Sequence, residues 1–549
     1  MKPRNNPVHG LLAGLCFGVL FCGLVARPAT LRAQAAPVTP VVPAKPKPKA
    51  PDLPNDALFA GFVPKIEILI TPENIAKLNQ DPRNFVECSI KEHGGVTLDK
   101  CSIKLKGSAG SFRPITDPRP GFSVRTDKVR KSQEFRGVGK FQLNNFAQDG
   151  TMLCEQIAGE IARKSFVPAS RCTHAYLLLN GRVLGTYLLK EGFNDEFLKY
   201  FFKDTSGHLY DGGFVSEINP NMECDRGDPK DKTRLLELIG ACGDPNPESR
   251  LKRLEKVLDI DAHFRHLFVE GVVHHWDGYS NNRNNYRLYE DPSNGKFYFI
   301  LHGMDQTWQD HRPYVFRPWS SMVFNALWSD KAMRERYRNQ AFLVWEKAIK
   351  PTDWGKRTEQ VAADMKAKFL PYDKGEADAF IGRGRDAANR IRGRIDMVRA
   401  QMEDAMKLRV PGGKANLAKY QWGGSSDKGD TGEGGYAGKE CLGFKVGPQG
   451  GGDFRLQLSL SPGRYRLEGK FQYKGVKAGE GEAKGVRLRI SGAPIDPKNP
   501  PQVGDCSNWK TLYHDFVVTD ADPTLIAELR GAAGDAWVER GSLTLTRLP

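Results

Sequence analysis

The chain has 549 residues, 40% of them hydrophobic and 10% aromatic, with a formal net charge of +16. That length exceeds one ordinary domain, and that apolar content excludes a largely disordered chain. The charge comes from 81 basic and 65 acidic residues; it favours acidic partners, and with no nucleic-acid-binding motif present, nucleic acid is not expected among them.

Residues 1–35 read as an export signal, with Lys2 and Arg4 before an apolar run at 11–26 and the small-x-small site Ala33-Gln34-Ala35. A single membrane anchor is the rival reading. The run is short for a span and Arg27 follows it directly, so cleavage is favoured and no stable membrane span is expected afterwards. Extracytoplasmic localisation, whether secreted, periplasmic or cell-surface, follows. Of ten cysteines, Cys16 and Cys22 fall in this segment, leaving eight. Their even number suits structural disulfides in an oxidising compartment, and proximity suggests the couples Cys88 with Cys101, Cys154 with Cys172, Cys224 with Cys242, and Cys441 with Cys506. Residues 36–56 are rich in Pro, Ala and Lys, a stiff extended linker.

Residues 57–408 mix strands and helices. Residues 65–70 (KIEILI) alternate as a strand, and Thr71-Pro72 opens a helix as N-cap and first position. Strands are expected at 101–105 and 122–124, and a helix at 150–164. Two apolar runs, 175–179 and 183–189, flank Asn180-Gly181, a strong hairpin signal. Further helices are expected at 194–203, 249–258, 260–275 and 383–408, the last with Ala388, Ile391, Ile395, Val398 and Met402 on one face. At 410–413 (VPGG) the composition shifts to glycine-rich sequence with short alternating strands at 454–460, 464–473, 486–490, 511–518, 525–529 and 542–547. This predicts an α+β chain with an all-β sandwich over 414–549, each side patterning its own core, so that 57–408 should fold without it.

The chemistry concentrates at 272–308 (VVHHWDGYSNNRNNYRLYEDPSNGKFYFILHGMDQTW). A polar loop with Asp277 and Asn282 follows a helix, and a hairpin brings Asp305 back beside it. Two carboxylates and an amide form a hard oxygen set suited to Mg²⁺ or Mn²⁺ on nucleotide phosphates. His275-Trp276-Asp277 with Asn282 also fits the kinase catalytic-loop pattern H-x-D-x-x-x-x-N. The same asparagines suit plain capping of turns. His274 and His275 point to different sides of a helix, which argues against a zinc pair.

Several segments resemble the CotH family: residues 139–145 (GKFQLNN) before a helix, the hairpin 179–191 (LNGRVLGTYLLKE), the stretch from Asp277 to Tyr289, and the strand end at 300–308. The resemblance covers about residues 62 to 320. It implies an atypical protein-kinase-like domain over 57–408 that phosphorylates Ser or Thr of secreted or cell-surface proteins with ATP and Mg²⁺ or Mn²⁺. Carried over, Asp277 is the catalytic aspartate, Asn282 and Asp305 are metal ligands, and Glu191 supports the nucleotide pocket. Lys106, Gly107 and Ser108 begin the family's short phosphate loop. The chain departs from the family in having Arg119-Pro-Gly-Phe-Ser-Val-Arg125 in place of a lysine-rich strand. Arg125, Lys106 and Lys140 remain the candidates for pairing with phosphate. The alternatives are a non-catalytic surface or adhesion protein whose sandwich binds glycan or anionic wall polymer, and transfer of AMP instead of phosphate. Trp422, Trp509 and Trp537 are the candidate sugar platform, with core packing the commoner fate of such residues.

Overall fold

The computed structural model describes residues 56–317, 319–478, 484–494 and 496–549; the expected export signal and the Pro-rich linker up to residue 55 lie outside them. The chain is a mixed α/β protein with large sheets. Seven strands close a barrel: β1 (Lys65–Leu69), β2 (Val86–Glu92), β3 (Thr97–Lys106), β4 (Gly121–Arg125), β5 (Lys140–Asn144), β6 (Cys172–Leu179) and β7 (Arg182–Glu191), in the order β1-β2-β3-β4-β5-β7-β6. A parallel β1–β6 pairing completes the ring. Thr71 caps the helix Pro72–Gln80 by accepting from the Asn74 N–H, with Pro72 at its start. Asn180 (φ 48°) and Gly181 (φ 80°) form the tight turn between β6 and β7, the left-handed pair that such a two-residue hairpin demands. The barrel interior is apolar, built from Ile66, Ile103, Phe122, Leu143, Leu177 and Leu189.

Helices and a second sheet follow the barrel. The sheet holds β8 (Leu209–Asp211), β9 (Glu223–Arg226), β10 (Tyr286–Asp291) and β11 (Lys296–Leu301) in the order β11-β10-β8-β9. Beside it lies the helix Ile260–Val272, nearly all of it buried and capped by Asp259, which accepts from the Ala262 N–H at 2.9 Å. The basic stretch near 383–408 belongs to a longer helix, Lys374–Lys407. Among the described residues, no helix is long and apolar enough to cross a membrane.

The C-terminal strands join in one nine-stranded sheet. Periodicity missed Gly423–Tyr436 (GGSSDKGDTGEGGY), an exposed strand that has almost no apolar residue to alternate. Trp422 is core, its Nε1–H donating to Leu417 O at 3.2 Å, while Trp509 and Trp537 are partly exposed. The apolar core runs across residues 410–413 without a break: Tyr314 and Leu408 belong to the same cluster as Tyr420, Leu460 and Tyr465. Arg338 donates to Ser459 and Ser461 to Glu335 across the same boundary. The separate core expected for each side is therefore not what the side chains form.

The expected disulfides are not formed either; all eight cysteines of the described residues are free thiols. Only the couple Cys88 and Cys101 is placed face to face, in register across β2 and β3. Cys172 is packed as a small apolar side chain, and burial pushes its thiol up to about 12.

Candidate functional site

Strand register decides which side chains meet. Phe122 pairs with Leu143, and Leu143 with Leu189, all three inside the barrel. Their neighbours along the strands therefore face outward: Gly121, Gln142, Asn144, Leu188 and Lys190. Lys106, opposite Gly121, joins this outer row.

The helix Cys154–Lys164 brings Glu155 to that row, 2% exposed. Lys190 donates to Glu155 in a fully buried ion pair and to His302 Nδ1 at 2.9 Å. Asn144 Nδ2 donates to the second Glu155 oxygen at 3.0 Å, and Asn144 Oδ1 accepts from Lys106. A cavity opens here, lined among others by Lys106, Gly107, Asn144, Asp149, Glu155 and Asp305. Burial alone would raise the Glu155 carboxyl, but the charge and hydrogen bond of Lys190, with Lys106, outweigh it and hold Glu155 below the usual range. Burial, then the charge of Glu155, push Asp305 up to about 6. Burial and Lys190 draw Lys106 down to about 8. Lys106, Glu155 and Asp305 thus share one recess, with Lys190 paired to Glu155 behind it, Glu155 held ionised and Asp305 poised to take up a proton or a cation.

Asp277 comes from the other side. The helix Ile260–Val272 ends in a left-handed residue, His274 (φ 51°). His275 follows, its Nε2–H donating to His302 O at 2.9 Å, and burial draws it down to about 4, so it is neutral. The Asp277 carboxylate accepts from three amides: Asn282 at 2.5 Å, Asn284 at 3.0 Å and Asn285 at 2.8 Å. The hairpin register sets Tyr286 against Leu301, so Asn285 and His302 lie at the same end of the β10–β11 pair. A Cβ on Gly303 (φ 57°) would come within 2.3 Å of Asn285 Oδ1, so glycine is required where the segment leading to Asp305 passes the asparagine that holds Asp277. Residues with positive φ other than glycine cluster here, with Arg283, Asn285 and Trp308 beside His274.

Of the residues singled out by sequence, Lys106, Gly107 and Asp305 line the recess, and Asn282 holds Asp277. Gly107 (φ 113°) is obligatory, since a Cβ would meet the Phe112 backbone nitrogen at 2.7 Å. Ser108 shapes the turn by donating its N–H to Ser111 Oγ at 3.0 Å; Ser111, not Ser108, lines the cavity. Arg125 and Lys140 pair in register at the opposite ends of β4 and β5, about 13 Å along the strands from Gly121 and Asn144. Arg125 there binds Asp127 at 3.0 Å. Glu191 is in a buried ion pair with Arg171 on the other side of β7 from Lys190. The recess therefore does not gather Arg125, Lys140 or Glu191. It gathers Glu155, with Lys190 as that residue's buried partner, and sequence reasoning passed over both. A first-turn glutamate in an apolar helix was the available signal for the former, and the lysine beside Glu191 in the hairpin segment for the latter.

Comparison with known proteins follows the same residues. The family model described as CotH kinase protein matches residues 103–389, a span that contains Lys106, Glu155, Lys190, Asp277 and Asp305. Invasin CotH2 of Rhizopus delemar is 25% identical over 187 residues, 30% of this chain and 32% of the relative. Invasin CotH7 of the same fungus is 25% identical over 202 residues, 33% of each. The chain spans about a third of the length of these curated relatives. Among solved structures, the Helicobacter pylori proinflammatory kinase CtkA covers 55% of this chain and 95% of its own, at 8% identity and a TM-score of 0.28. A family 35 carbohydrate binding module from Clostridium thermocellum covers 22% of this chain and 90% of its own, at 16% identity and a TM-score of 0.16. Both structural likenesses are distant. The family match takes in more than half of the chain, and by it this protein belongs to the CotH kinase protein family.

Proposed function

We propose that the chain is an ATP- and divalent-metal-dependent protein kinase that phosphorylates Ser or Thr of extracytoplasmic proteins. The observation that carries this reading is the recess itself: Lys106, Lys190, Glu155 and Asp305 gathered on the outer face of the barrel beside a glycine turn. Lys106 and Lys190 are the cations for phosphate oxygens, and Glu155 orients Lys190 as a buried partner. Gln142 Oε1, on the same face, is buried without a partner, as a group awaiting a ligand would be. Mg²⁺ or Mn²⁺ would be held by the Asp305 carboxylate and the Asn282 amide oxygen, and when bound it neutralises charge on the transferring phosphate. The donor set fits: Asp305 is a buried carboxylate raised to about 6, and a cation would relieve that cost.

In this reading Asp277 accepts the hydroxyl proton as the acceptor oxygen forms its bond to phosphorus and the bond from phosphorus to the ADP oxygen breaks. The three amides that hold its carboxylate fix the lone pair that receives the proton. Incubation with labelled ATP and Mn²⁺, followed by weighing of the products, tests it: a gain of one phosphate is expected, a gain of AMP would change the reaction class, and no transfer would favour the non-catalytic reading. A second reading, a glycan-binding surface protein, draws on Tyr436 and Trp537, whose rings stack 3.7 Å apart and 2° from parallel on the C-terminal sheet. Loss of polysaccharide retention in Trp537→Ala, with transfer absent throughout, is what that reading requires.

A further inference from the structure

The long helix Lys374–Lys407 continues beyond the residues matched by the family model, and it carries a side chain of unusual placement there. Arg394 is 0% exposed. Its hydrogen-bond partners are four backbone carbonyls. Nε donates to Val272 O at 3.1 Å and Nη2 to Gly271 O at 2.5 Å. Nη1 donates to His311 O at 2.6 Å and to Pro313 O at 2.7 Å. A guanidinium out of water is costly, and here it is met by the last carbonyls of the helix Ile260–Val272, where the helix dipole places partial negative charge.

Those carbonyls belong to the two segments that carry the chemistry. Gly271 and Val272 end the helix just before His274, His275 and Asp277. His311 and Pro313 follow the segment that bears Asp305. The segments also touch directly, Trp308 N–H donating to Val273 O at 3.0 Å and Asp310 N–H to His274 Nδ1 at 3.2 Å. One helical face grips the second segment twice. Gln401, seven residues after Arg394, accepts from Val315 N–H at 3.0 Å and donates to Arg312 O at 3.2 Å.

We infer that Arg394 is a positioning residue that locks the segment bearing Asp277 to the segment bearing Asp305. The inference rests on the kinase reading for its activity arm, and on geometry alone for its structural arm. The planar fork is what the role needs, since it reaches two carbonyls on one side and two on the other; a lysine keeps the charge but offers no such bridge. With the lock loosened, Asp277 loses its spacing from Asp305, while the start of the second segment stays tied to the barrel side by the Met304 N–H on Glu155 at 3.4 Å, so nucleotide contact stays intact. Misplacement of about 1 Å at reacting groups costs on the order of a hundredfold in rate.

The full chain with Arg394→Met removes the bridge, and Arg394→Lys is the milder second variant should the first not fold. Hydrogen exchange read by mass spectrometry should show faster exchange, about tenfold or more, in peptides covering 271–285 and 305–315 together, with β1 to β7 unchanged. Turnover of ATP should fall on the order of a hundredfold with KM for ATP within about threefold, and Arg394→Lys should recover part of it. Unchanged exchange in both segments, loss in only one of them, or equal loss across the barrel would overturn the lock. Absence of phosphotransfer in the unmodified chain would sink the kinase reading and leave the exchange arm to judge Arg394 by itself.

Discussion

The outer face of β4 and β5 carries basic side chains at both ends, and the two ends differ in what faces them. At one end Lys106, with Lys190 from β7, meets buried Glu155 and Asp305, and the proton affinities of Lys106, Glu155 and Asp305 are shifted there. At the other end Arg125 is settled by Asp127 two residues on, and Lys140 by the Phe193 carbonyl at 3.5 Å, both away from Glu155 and Asp305. Both ends look alike in composition. The difference is made by elements distant in sequence, the helix that delivers Glu155 and the strand end that delivers Asp305. A cation becomes part of a coupled cluster when the fold buries carboxylates beside it, and stands apart from it when, like Arg125, its partner is a near neighbour in the chain.

The largest effects belong to the two aspartates at the gathered end. On the kinase reading, Asp277→Asn removes the proton acceptor and should lower turnover by about a thousandfold while ATP affinity stays within a few-fold. Asp305→Asn should instead abolish the metal-dependent part of ATP binding. Without ligand this variant should melt no lower than the unmodified chain, because a carboxyl raised to about 6 by burial and by Glu155 is costly to keep ionised at neutral pH. Calorimetric titrations with and without Mn²⁺ separate the two. Equal loss of nucleotide affinity in both variants would erase the distinction between base and metal ligand.

Next comes the buried pair. Lys190→Met leaves Glu155 charged, 2% exposed and without its ammonium partner, a change that costs about 3–5 kcal/mol in comparable pairs. Urea midpoints should show it, together with loss of turnover. The double variant Lys190→Met, Glu155→Leu should regain most of the stability and none of the activity. If it regained both, the pair would serve only to hold the helix to the barrel.

How much of this was readable in advance follows the same division. The hairpin at Asn180-Gly181, the Thr71 cap and the β10–β11 hairpin were legible because each has a local cause in turn or capping chemistry. The return of the chain from Asp277 toward Asp305 was legible because the hairpin between them carries its own turn signal. Lys190 was not. In β7 every residue from Thr186 to Glu191 is buried, so the strand shows no alternation and nothing in the sequence tells Lys190 from Glu191 as the side chain that faces the recess. Glu155 was hidden because its partners lie 35 and 150 residues further along the chain. Gly423–Tyr436 was hidden because a strand of glycine and polar residues carries no hydrophobic period.

Acid should sharpen the contrast between the ends. His275 and His302, both beside Lys190, are kept neutral by burial, as are His174, His263, His266 and His274. Their folded-state affinities lie below the unfolded value, so their contribution to stability is present above about pH 6.5 and is lost as pH falls toward 4. Glu270, raised to about 7 chiefly by burial, and Asp305, raised to about 6, act in the opposite sense: their contribution is present below about pH 4 and is lost as pH rises through those values. Seven histidines are drawn down by burial, His514 with the six above, against five carboxyls raised by it, Asp149, Glu196 and Asp522 with the two above; the urea midpoint should therefore fall between pH 7 and 5, each histidine adding at most about 1.4 kcal/mol per pH unit. His275→Gln should flatten that slope. A midpoint that rises on acidification would mean that the carboxyls dominate.

The smallest effect tests the far end. Arg125 and Asp127 are 33% and 25% exposed, and an ion pair of that kind contributes about 0–1 kcal/mol because water and salt screen it while two side chains lose freedom. Lys140 is more enclosed, and burial lowers its proton affinity, yet Glu155 and Asp305 are not among the charges that act on it; Asp225 and Arg287 are. It therefore belongs electrostatically to the neighbourhood of β9 and β10 and not to the recess. Arg125→Gln should leave the urea midpoint nearly unchanged, and both Arg125→Gln and Lys140→Gln should leave the affinity for ATP within about threefold, against the losses expected at Lys190 and Asp305. A tenfold loss of affinity in either variant would extend the nucleotide site along the whole outer face of β4 and β5. The contrast between the two ends would then reflect the phosphate position alone, with the far end contacting the base or ribose.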